Sequence, residues 1–358
     1  MRTAAELSGR ESYRAYLGRK WTTLLVLLII LIAAALFSLS VGSSGMTLRR
    51  VIMTVFGDGS KQETAIVWKV RMPRIVTGVV VGMALALSGC IMQNVLRNPL
   101  ASSSTLGVSQ GASFGAAFAI VYLDAGKQVN ASTASAISVT DPVAVAVCAF
   151  IGGILTTAII LGLSRIARVS PSTMILAGVA LSSLFSGATT IVQYFADDIK
   201  VASVVYWTFG DLGRAGWRDI SIILTASSAG FIYFMLNRWN YNAVESGVQT
   251  AKSLGVNVDG LLLISMGICS LITAVSVAFV GTISFIGLIA PHMVRRFVGN
   301  DHRFLIPASA LMGAVVLVLA ELVSRTVVAP SILPIGALTS FLGAPLFLYM
   351  IYNKSGIK

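Results

Sequence analysis

Long stretches without a charged residue constrain the fold of this chain more than any other feature of its sequence. An α-helix rises about 1.5 Å per residue, so about 20 apolar residues cross the roughly 30 Å hydrocarbon core of a bilayer. Only 11% of the residues are charged against 56% hydrophobic ones, which excludes an ordinary soluble domain. The chain is therefore predicted to be an all-α polytopic membrane protein. The charge-free runs are 21–48, 75–96, 98–123, 142–164, 169–196, 220–237, 260–294, 304–320 and 326–353.

The number of helices follows from these runs. The run 260–294 is longer than one crossing needs and contains Gly281 and Pro291, so we expect it to break near Gly281 into a full span and a shorter one. About ten transmembrane helices result. The first, Trp21–Val41, exceeds the apolar run of a signal peptide and is expected to stay in the chain. The expected organisation is a segment 1–20, one transmembrane domain 21–353 and a tail 354–358.

The distribution of basic residues predicts the orientation. Residues 1–20 hold five basic and two acidic side chains, and cytoplasmic flanks collect Lys and Arg, so both termini are predicted inside after an even number of crossings. The cell membrane is the expected location. Three arginines depart from the pattern, because Arg71 and Arg74 fall at the outer mouth of the second span and Arg325 at the outer end of the ninth. Cations in that position require an anionic partner.

Several catalytic chemistries have no support in the sequence. There is no phosphate-binding loop of the form G-x-x-x-x-G-K-[ST], so the chain is expected to be a non-enzyme that hydrolyses no ATP. His292 and His302 lack partners at metal-ligand spacing, and no metal or cofactor is predicted. The cysteines lie in apolar runs and are interpreted as packing residues. These cysteines are Cys90, Cys148 and Cys269.

Two local patterns predict helix contacts. Gly107, Gly111 and Gly115 recur every four residues, a spacing that lets membrane helices approach closely. Glu321 is an acid inside a span, and Arg325 follows it at i+4, which favours an ion pair that orients the arginine. No further acids or histidines lie at similar depth to form a proton relay.

Three segments combine helix-breaking residues with polar groups at predicted membrane boundaries. Irregular backbone in a membrane is tolerated where it is buried in protein or lines a cavity, so these segments predict broken helices around a pathway. They are RNPLAS (97–102), PHMVRRFVGNDHR (291–303) and LPIGALTSFLGAP (333–345).

A family resemblance rests on linked motifs in a fixed order along nearly the whole chain. The sequence resembles the FecCD permease family, the membrane subunits of type II ABC importers for iron-siderophores, haem and cobalamin. The resemblance implies a ten-helix permease that pairs with a second copy or a related permease, with an ATPase dimer inside and a soluble binding protein outside. The motifs are RMPR (71–74), SGCIMQNVLRNPLA (88–101), LGVSQGA (106–112), FIGLIAPHMVRRFVGNDHR (285–303) and LPIGALTSFLGAPLF (333–347).

The resemblance also implies roles for individual residues. Arg71, Arg74 and Arg325 match positions that receive acidic side chains of the binding protein. A cytoplasmic gate is implied around the NPL motif and the turn before the fifth span, and a coupling segment at about 245–258 is implied to meet the ATPase. The gate residues are Asn98, Pro99, Leu100, Ser170, Pro171 and Ser172, and the coupling residues are Gly247, Ala251, Leu254 and Gly255. Ala251, Leu254 and Gly255 are expected to present a small apolar face to the partner.

The chain departs from the family pattern at three positions. Ser103 and Val248 stand where proline and glutamate are often found, and Glu321 replaces an aspartate but keeps the charge. Ser103 is expected to soften the turn near the gate, and Val248 leaves the form of the coupling contact open.

Two other functions compete with that of an ABC importer permease. An ion-gradient-driven secondary transporter fits the broken helices equally well but lacks a visible ion relay. An intramembrane enzyme lacks paired acids or a nucleophile with a base. The expected cargo is a ferric siderophore, with haem, cobalamin or a metal oxyanion as alternatives, and no nucleic acid partner is expected.

Overall fold

The computed structural model describes residues 4–42, 46–128, 137–139, 141–167, 170–329 and 331–355. Within these ranges the chain is almost entirely helical, which confirms the predicted class. Parts of the predicted terminal segments, residues 1–3 and 356–358, lie outside the described residues. The helices are α1 (Ala4–Ser40), α2 (Leu48–Val55), α3 (Lys61–Ala65), a π-helical turn (Ile66–Arg71), α4 (Met72–Val95), α5 (Val108–Tyr122), α6 (Pro142–Ala167), α7 (Pro171–Tyr194), α8 (Asp198–Thr208), α9 (Trp217–Leu236), α10 (Arg238–Glu245), α11 (Val248–Ser253), α12 (Val258–Val280), α13 (Ile286–Val298), α14 (His302–Thr326) and α15 (Ile335–Ser355). Two short antiparallel strands, β1 (Gly126–Gln128) and β2 (Ile137–Val139), pair between α5 and α6.

The predicted count of about ten apolar helices is confirmed among the described residues. Seven helices are long and apolar enough to cross a membrane, namely α1, α4 with its preceding turns, α6, α7, α9, α12 and α14. The helices α5 and α15 are shorter and apolar, and α13 is the short second half of the broken run.

The predicted break near Gly281 is also confirmed. Helix α12 ends at Val280, and Gly281 adopts φ 79°, a conformation that side chains other than glycine rarely adopt. A Cβ on Gly281 would also collide with the carbonyl oxygen of Trp207. Phe285, at φ 67°, precedes the first residue of α13. Glycine is therefore required at this break for both its backbone angle and its small size.

The second span begins earlier than predicted. Helical backbone runs without interruption from Lys61, and the π-helical turn leads directly into α4. Pro73 has no N–H and cannot donate to the carbonyl of Trp68, five residues before it. The indole of Trp217 donates to that carbonyl instead, at 3.1 Å. The helix therefore continues through Pro73, where a side chain supplies the hydrogen bond that proline cannot.

The third span is shorter than predicted. The charge-free run 98–123 forms a helix only from Val108, and residues 98–107 form turns. Ser102 and Thr105 satisfy the backbone of this stretch, since each side chain accepts a hydrogen bond from the other residue's N–H, at 2.9 and 3.2 Å. Hydroxyl side chains of this kind compete with a helix for backbone hydrogen bonds.

Helix α4 lies at the centre of the molecule and is held by close backbone contacts. Gly82 lies against the backbone of Gly313 in α14, and Gly89 lies against the backbone of Gly287 in α13, with no room for a Cβ at either glycine. The predicted glycine spacing in α5 works in the same way, because Gly115 lies against the carbonyl of Cys148 in α6. Close approach of backbones is how membrane helices gain packing energy without a hydrophobic driving force.

Candidate functional site

The predicted ion pair between Glu321 and Arg325 is confirmed. Their closest atoms, Oε1 and Nε, are 2.7 Å apart, and Glu321 is 3% exposed. The other nitrogens of Arg325 donate to the end of α1, to the Ser38 carbonyl at 2.9 Å, the Ser38 hydroxyl at 2.7 Å and the Val41 carbonyl at 3.0 Å. Arg325 therefore joins α14 to α1.

Arg71 reaches the same helix end. Its Nη1 donates to the carbonyls of Leu39 at 2.6 Å and Ser40 at 3.3 Å, and the residue is 6% exposed. The last carbonyls of a helix have no partner within the helix, and the helix dipole favours a cation there. Arg71 and Arg325 together cap the end of α1. The carbonyl oxygens there stabilise part of the positive charge of the two side chains.

Arg74 lies between two carboxylates. Its Nη2 donates to Asp211 Oδ1 at 3.0 Å, and its Nη1 is 3.8 Å from Glu321 Oε1. The structure thus brings the three predicted arginines to one end of the molecule, which we call the arginine end. The partners Ser38 and Asp211 were missed by the sequence reasoning.

A cavity of about 850 Å³ opens beside Arg74 at the arginine end. Apolar side chains of α6, α8, α12 and the turn before α15 form most of its wall. Its charged lining residues are Arg74, Asp211, Arg214, Arg218, Asp219 and Glu321. A wall of this kind, apolar with a few placed charges, is typical of a site for a small molecule.

The predicted gate turn lies at the opposite end of α4, which we call the turn end. The Asn98 side chain accepts the N–H of Leu100 at 2.8 Å, and the Asn98 carbonyl accepts the N–H of Ala101 at 3.1 Å. The two bonds close a tight turn around Pro99 and leave Leu100 44% exposed. The backbone of the turn is therefore closed by hydrogen bonds, and the turn presents an apolar side chain outward.

Ser103 anchors this turn to the core. Its hydroxyl shares a hydrogen bond with the hydroxyl of Ser88 in α4, and Thr273 of α12 donates to Ser88 at 3.1 Å. All three residues are buried. The hydroxyl therefore links the turn to two helices, which is the opposite of the softening expected from the missing proline.

The second predicted gate segment begins α7. Ser170 caps the helix by accepting the N–H of Thr173 at 3.3 Å, and its hydroxyl lies 2.8 Å from that of Ser172. Pro171 occupies the first turn, where its missing N–H costs nothing. Further along α7, a Cβ on Gly178 would be 2.7 Å from Leu106 Cα, so α7 packs closely on the end of the gate turn.

The predicted coupling segment, about 245–258, runs from the last residue of α10 through α11 to the start of α12. Gly247 and Gly255 adopt φ 124° and 82°, which bound α11 with turns that favour glycine. Leu254 is 68% exposed, whereas Ala251 is fully buried. Ala251 therefore packs into the buried core and is not on the exposed face that the sequence predicted.

A polar network joins the coupling segment to α4 and had no signal in the sequence. Glu245, at the end of α10, accepts hydrogen bonds from Asn94 at 3.1 Å and from Asn300 at 2.8 Å. Asn94 also donates to the carbonyl of Tyr241 at 3.2 Å. Because Asn94 is four residues before Asn98, the gate turn and the coupling segment are connected through one side chain.

Asp301 extends this network to α1. It accepts from Asn242 at 3.0 Å and from Arg303 at 2.7 Å, and Lys20 of α1 is 3.7 Å away. Burial by itself would raise the pKa of Asp301. The hydrogen bonds from Arg303 and Asn242 outweigh burial and lower the pKa from 3.8 to about 2. Asp301 is therefore ionised at neutral pH and holds α1 and α10 at the start of α14.

The family profile of the FecCD transport family matches residues 28–353. The chain belongs to the FecCD transport family. An ABC transporter permease protein of Methanocaldococcus jannaschii is 47% identical over 95% of this chain and 97% of its own length. The hemin transport system permease protein of Yersinia pestis is 34% identical over 97% and 98%. A solved metal-chelate type ABC transporter in an inward-facing conformation matches with a TM-score of 0.79 and 28% identity, over 92% of this chain and 98% of its own.

As a FecCD protein, the chain is a membrane permease subunit of the ABC transporter class. A permease has two faces, one on each side of the membrane, and the arginine end and the turn end of α4 correspond to these two faces. The described residues contain no group of three His, Cys, Asp or Glu side chains placed to hold a metal ion.

Proposed function

We propose that this FecCD permease imports a metal chelate across the cytoplasmic membrane, powered by an ATPase that binds its turn end. In this proposal the arginine end faces outward and both termini lie in the cytoplasm. The observation that carries the proposal is the position of α4. One end of this buried helix lies in the arginine cluster, and the other end bonds the coupling segment through Asn94 and Glu245.

The docking role of the arginines has support from geometry. Arg74 is partly accessible at the edge of the cavity, and its guanidinium is held by Glu321 and Asp211 in a position to meet a further carboxylate. Arginine binds carboxylates through two parallel hydrogen bonds, which suits it to an acidic protein surface. Arg71 and Arg325 are occupied with α1, so their proposed contribution is to position this end and to supply positive potential.

Pairing with a second permease is supported by the exposure of α7. It is the least buried of the seven long apolar helices, with 17% of its most apolar window buried. Its exposed face carries Ser183, Ser186 and Thr190, whose hydroxyls suit a pathway or a helix partner better than lipid. We propose that α7 faces the second copy across the pathway, with the gate residues Asn98, Leu100, Ser170, Pro171 and Ser172 at its cytoplasmic end.

The proposed cargo is a ferric siderophore. Relatives at 32–34% identity are named for hemin, vitamin B12 and siderophores, so identity alone does not choose among them. The large and mainly apolar cavity at the arginine end suits a bulky chelate with few specific contacts.

The test is uptake by proteoliposomes that contain the permease, its ATPase and its binding protein. ATP-dependent uptake of a ferric siderophore, with no uptake when the ATPase is omitted, is the expected result. Parallel assays with hemin and cobalamin identify the cargo. Uptake driven by an ion gradient without the ATPase would contradict the proposal and favour a secondary transporter.

The proposed contact between the coupling segment and the ATPase is tested with Leu254→Asp, because Leu254 is exposed. Gly255 is not a suitable position for a substitution. Any side chain at Gly255 would strain a backbone at φ 82° and confound the result. Leu254→Asp should reduce ATP-driven uptake about tenfold by placing a charge in an apolar contact. Leu123→Asp, an exposed leucine at the other end of the molecule, is the matched control. Equal uptake by the two variants would remove the coupling role.

A further inference from the structure

The carboxylate of Asp211 already occupies one side of the Arg74 guanidinium, the group that the proposed docking partner would bind. Its Oδ1 accepts from Arg74 Nη2 at 3.0 Å and from the N–H of Gly213 at 2.9 Å. Gly213 lies directly against the guanidinium, where a Cβ would collide with it. The turn that carries Asp211 is thus shaped around Arg74.

The backbone of this turn is fixed although the side chain is open to solvent. The N–H of Asp211 donates to the carbonyl of Val280 at 2.8 Å, and the carbonyl of Phe209 accepts from Gly336 at 3.0 Å. These bonds tie the turn to the end of α12 and the start of α15. The side chain of Asp211 is nevertheless 47% exposed, so it can leave Arg74 while the turn stays in place.

Glu321, the second acid near Arg74, differs in this respect. Its side chain is 4% exposed and is held by Arg325 and Ser38. Displacing Glu321 would leave buried cations without a counter-charge, at a high cost in free energy. Of the two acids at Arg74, Asp211 is therefore the exchangeable one.

A second cation is available to Asp211 on the same turn. The N–H of Arg214 donates to the carbonyl of Asp211 at 3.4 Å, and both residues line the cavity. Nη1 of Arg214 is buried and has no hydrogen-bond partner among the described residues. A buried guanidinium nitrogen without an acceptor is unfavourable, so a carboxylate that reached it would be stabilised.

We propose that Asp211 is an internal substitute for the acidic side chain of the docking protein. In the free transporter it holds Arg74 in place, and on docking it yields Arg74 to the partner's carboxylate and moves toward Arg214. Arg74 exchanges one carboxylate for another and is never left unpaired. The exchange alters the charged wall of the cavity at the moment the partner binds. This inference rests on the proposed docking function.

The test measures affinity between the binding protein, purified without cargo, and the permease–ATPase complex in lipid nanodiscs at low salt. Asp211→Asn removes the competitor and should tighten binding at least tenfold. Asp219→Asn is the matched control, because it removes the same charge from the same cavity but its carboxylate accepts the Gly216 N–H rather than bonding Arg74. The control should change affinity by no more than about threefold, the effect of one unpaired rim charge.

The sign of the effect separates this role from a structural one. If Asp211 merely stabilised the turn, its loss would weaken docking or leave it unchanged. Asp211→Glu, which retains the carboxylate, should bind like the wild type. Arg214→Gln should weaken docking in the wild-type background and have no effect when combined with Asp211→Asn, because the carboxylate it receives is then gone.

The possible failures are distinct. Wild-type permease that does not bind the binding protein would overturn the docking function and this inference with it. Wild-type binding with Asp211→Asn no tighter than Asp219→Asn would overturn the inference and leave the docking function intact.

Discussion

Replacement of Glu321 by glutamine should destabilise the protein more than any other loss of one charge at the arginine end. The carboxylate is 2.7 Å from Arg325 Nε, 3.8 Å from Arg74 Nη1 and 3.3 Å from the Ser38 hydroxyl. At an effective dielectric constant of about 20, the two ion pairs correspond to about 6 and about 4 kcal/mol of Coulomb attraction. Much of this attraction offsets the cost of removing the charges from water. Breaking a buried pair by removing one partner costs about 3–5 kcal/mol.

The variant Glu321→Gln keeps the shape of the side chain and leaves two guanidiniums near each other. We expect the free energy of unfolding in mixed micelles, followed by tryptophan fluorescence, to fall by about 3–5 kcal/mol. Glu63→Gln is the control, because Glu63 is also 2.7 Å from an arginine, Arg50, but the pair is exposed to solvent. Its effect should be much smaller, since exposed pairs are screened by water. Equal losses in the two variants would show that burial does not set the magnitude, and the reasoning would be wrong.

Three further outcomes are expected. Gly89→Ala places a Cβ against the backbone of α13, which cannot move aside as a side chain can. The variant should therefore give a lower yield of folded protein in size-exclusion profiles. Gly267→Ala, whose Cβ meets nothing within 4 Å, should leave the yield unchanged. Ser103→Ala removes one of the hydrogen bonds of the buried Ser88 hydroxyl, which keeps Thr273 and the Cys269 carbonyl as partners, and should cost about 0.5–1.5 kcal/mol in thermal unfolding, whereas wild-type stability would remove its anchoring role. The lowered pKa of Asp301 means that its ionised form stabilises the folded state, an effect present above about pH 4 and lost as the pH falls toward about 2. Asp301→Asn should abolish that part of the acid sensitivity in unfolding curves, and an unchanged acid sensitivity would contradict the assignment.

Features that depend on neighbours along the chain could be predicted from the sequence. The break at Gly281 needs a residue that tolerates positive φ, and the pair of Glu321 with Arg325 needs only helical spacing. The start of α5 could not be predicted from charge-free runs, because these runs do not register that Ser102 bonds the backbone of its own turn. The alternation between apolar and polar segments identifies the helix ends that lie near the membrane surface, but not which of them meet.

Contacts between distant segments are the part that sequence reasoning missed. The carbonyls that occupy Arg71 belong to residues 39 and 40, in another helix. Asp211 lies 137 residues from Arg74, and Glu245 lies 151 residues from Asn94. Each pair forms only when segments far apart along the chain pack together, and no single-sequence pattern reports which helices will pack. The predicted arginines were therefore correctly grouped at one end, while the residues that hold them were not foreseen.

The π-helical turn Ile66–Arg71 sets the rotation of α3 about the helix axis relative to α4. A π-turn holds one residue more than the α-helix around it needs, and each residue turns a helix by about 100°. Deleting one residue there would leave the glycine contacts of α4 in place, rotate α3 by that angle and move the Trp68 carbonyl away from the Trp217 indole. Inserted or lost residues at this point would therefore turn α3 and leave the glycine contacts of α4 unchanged. A change of chain length at this turn would re-orient the surface at the arginine end while the buried side chains of α4 kept their contacts.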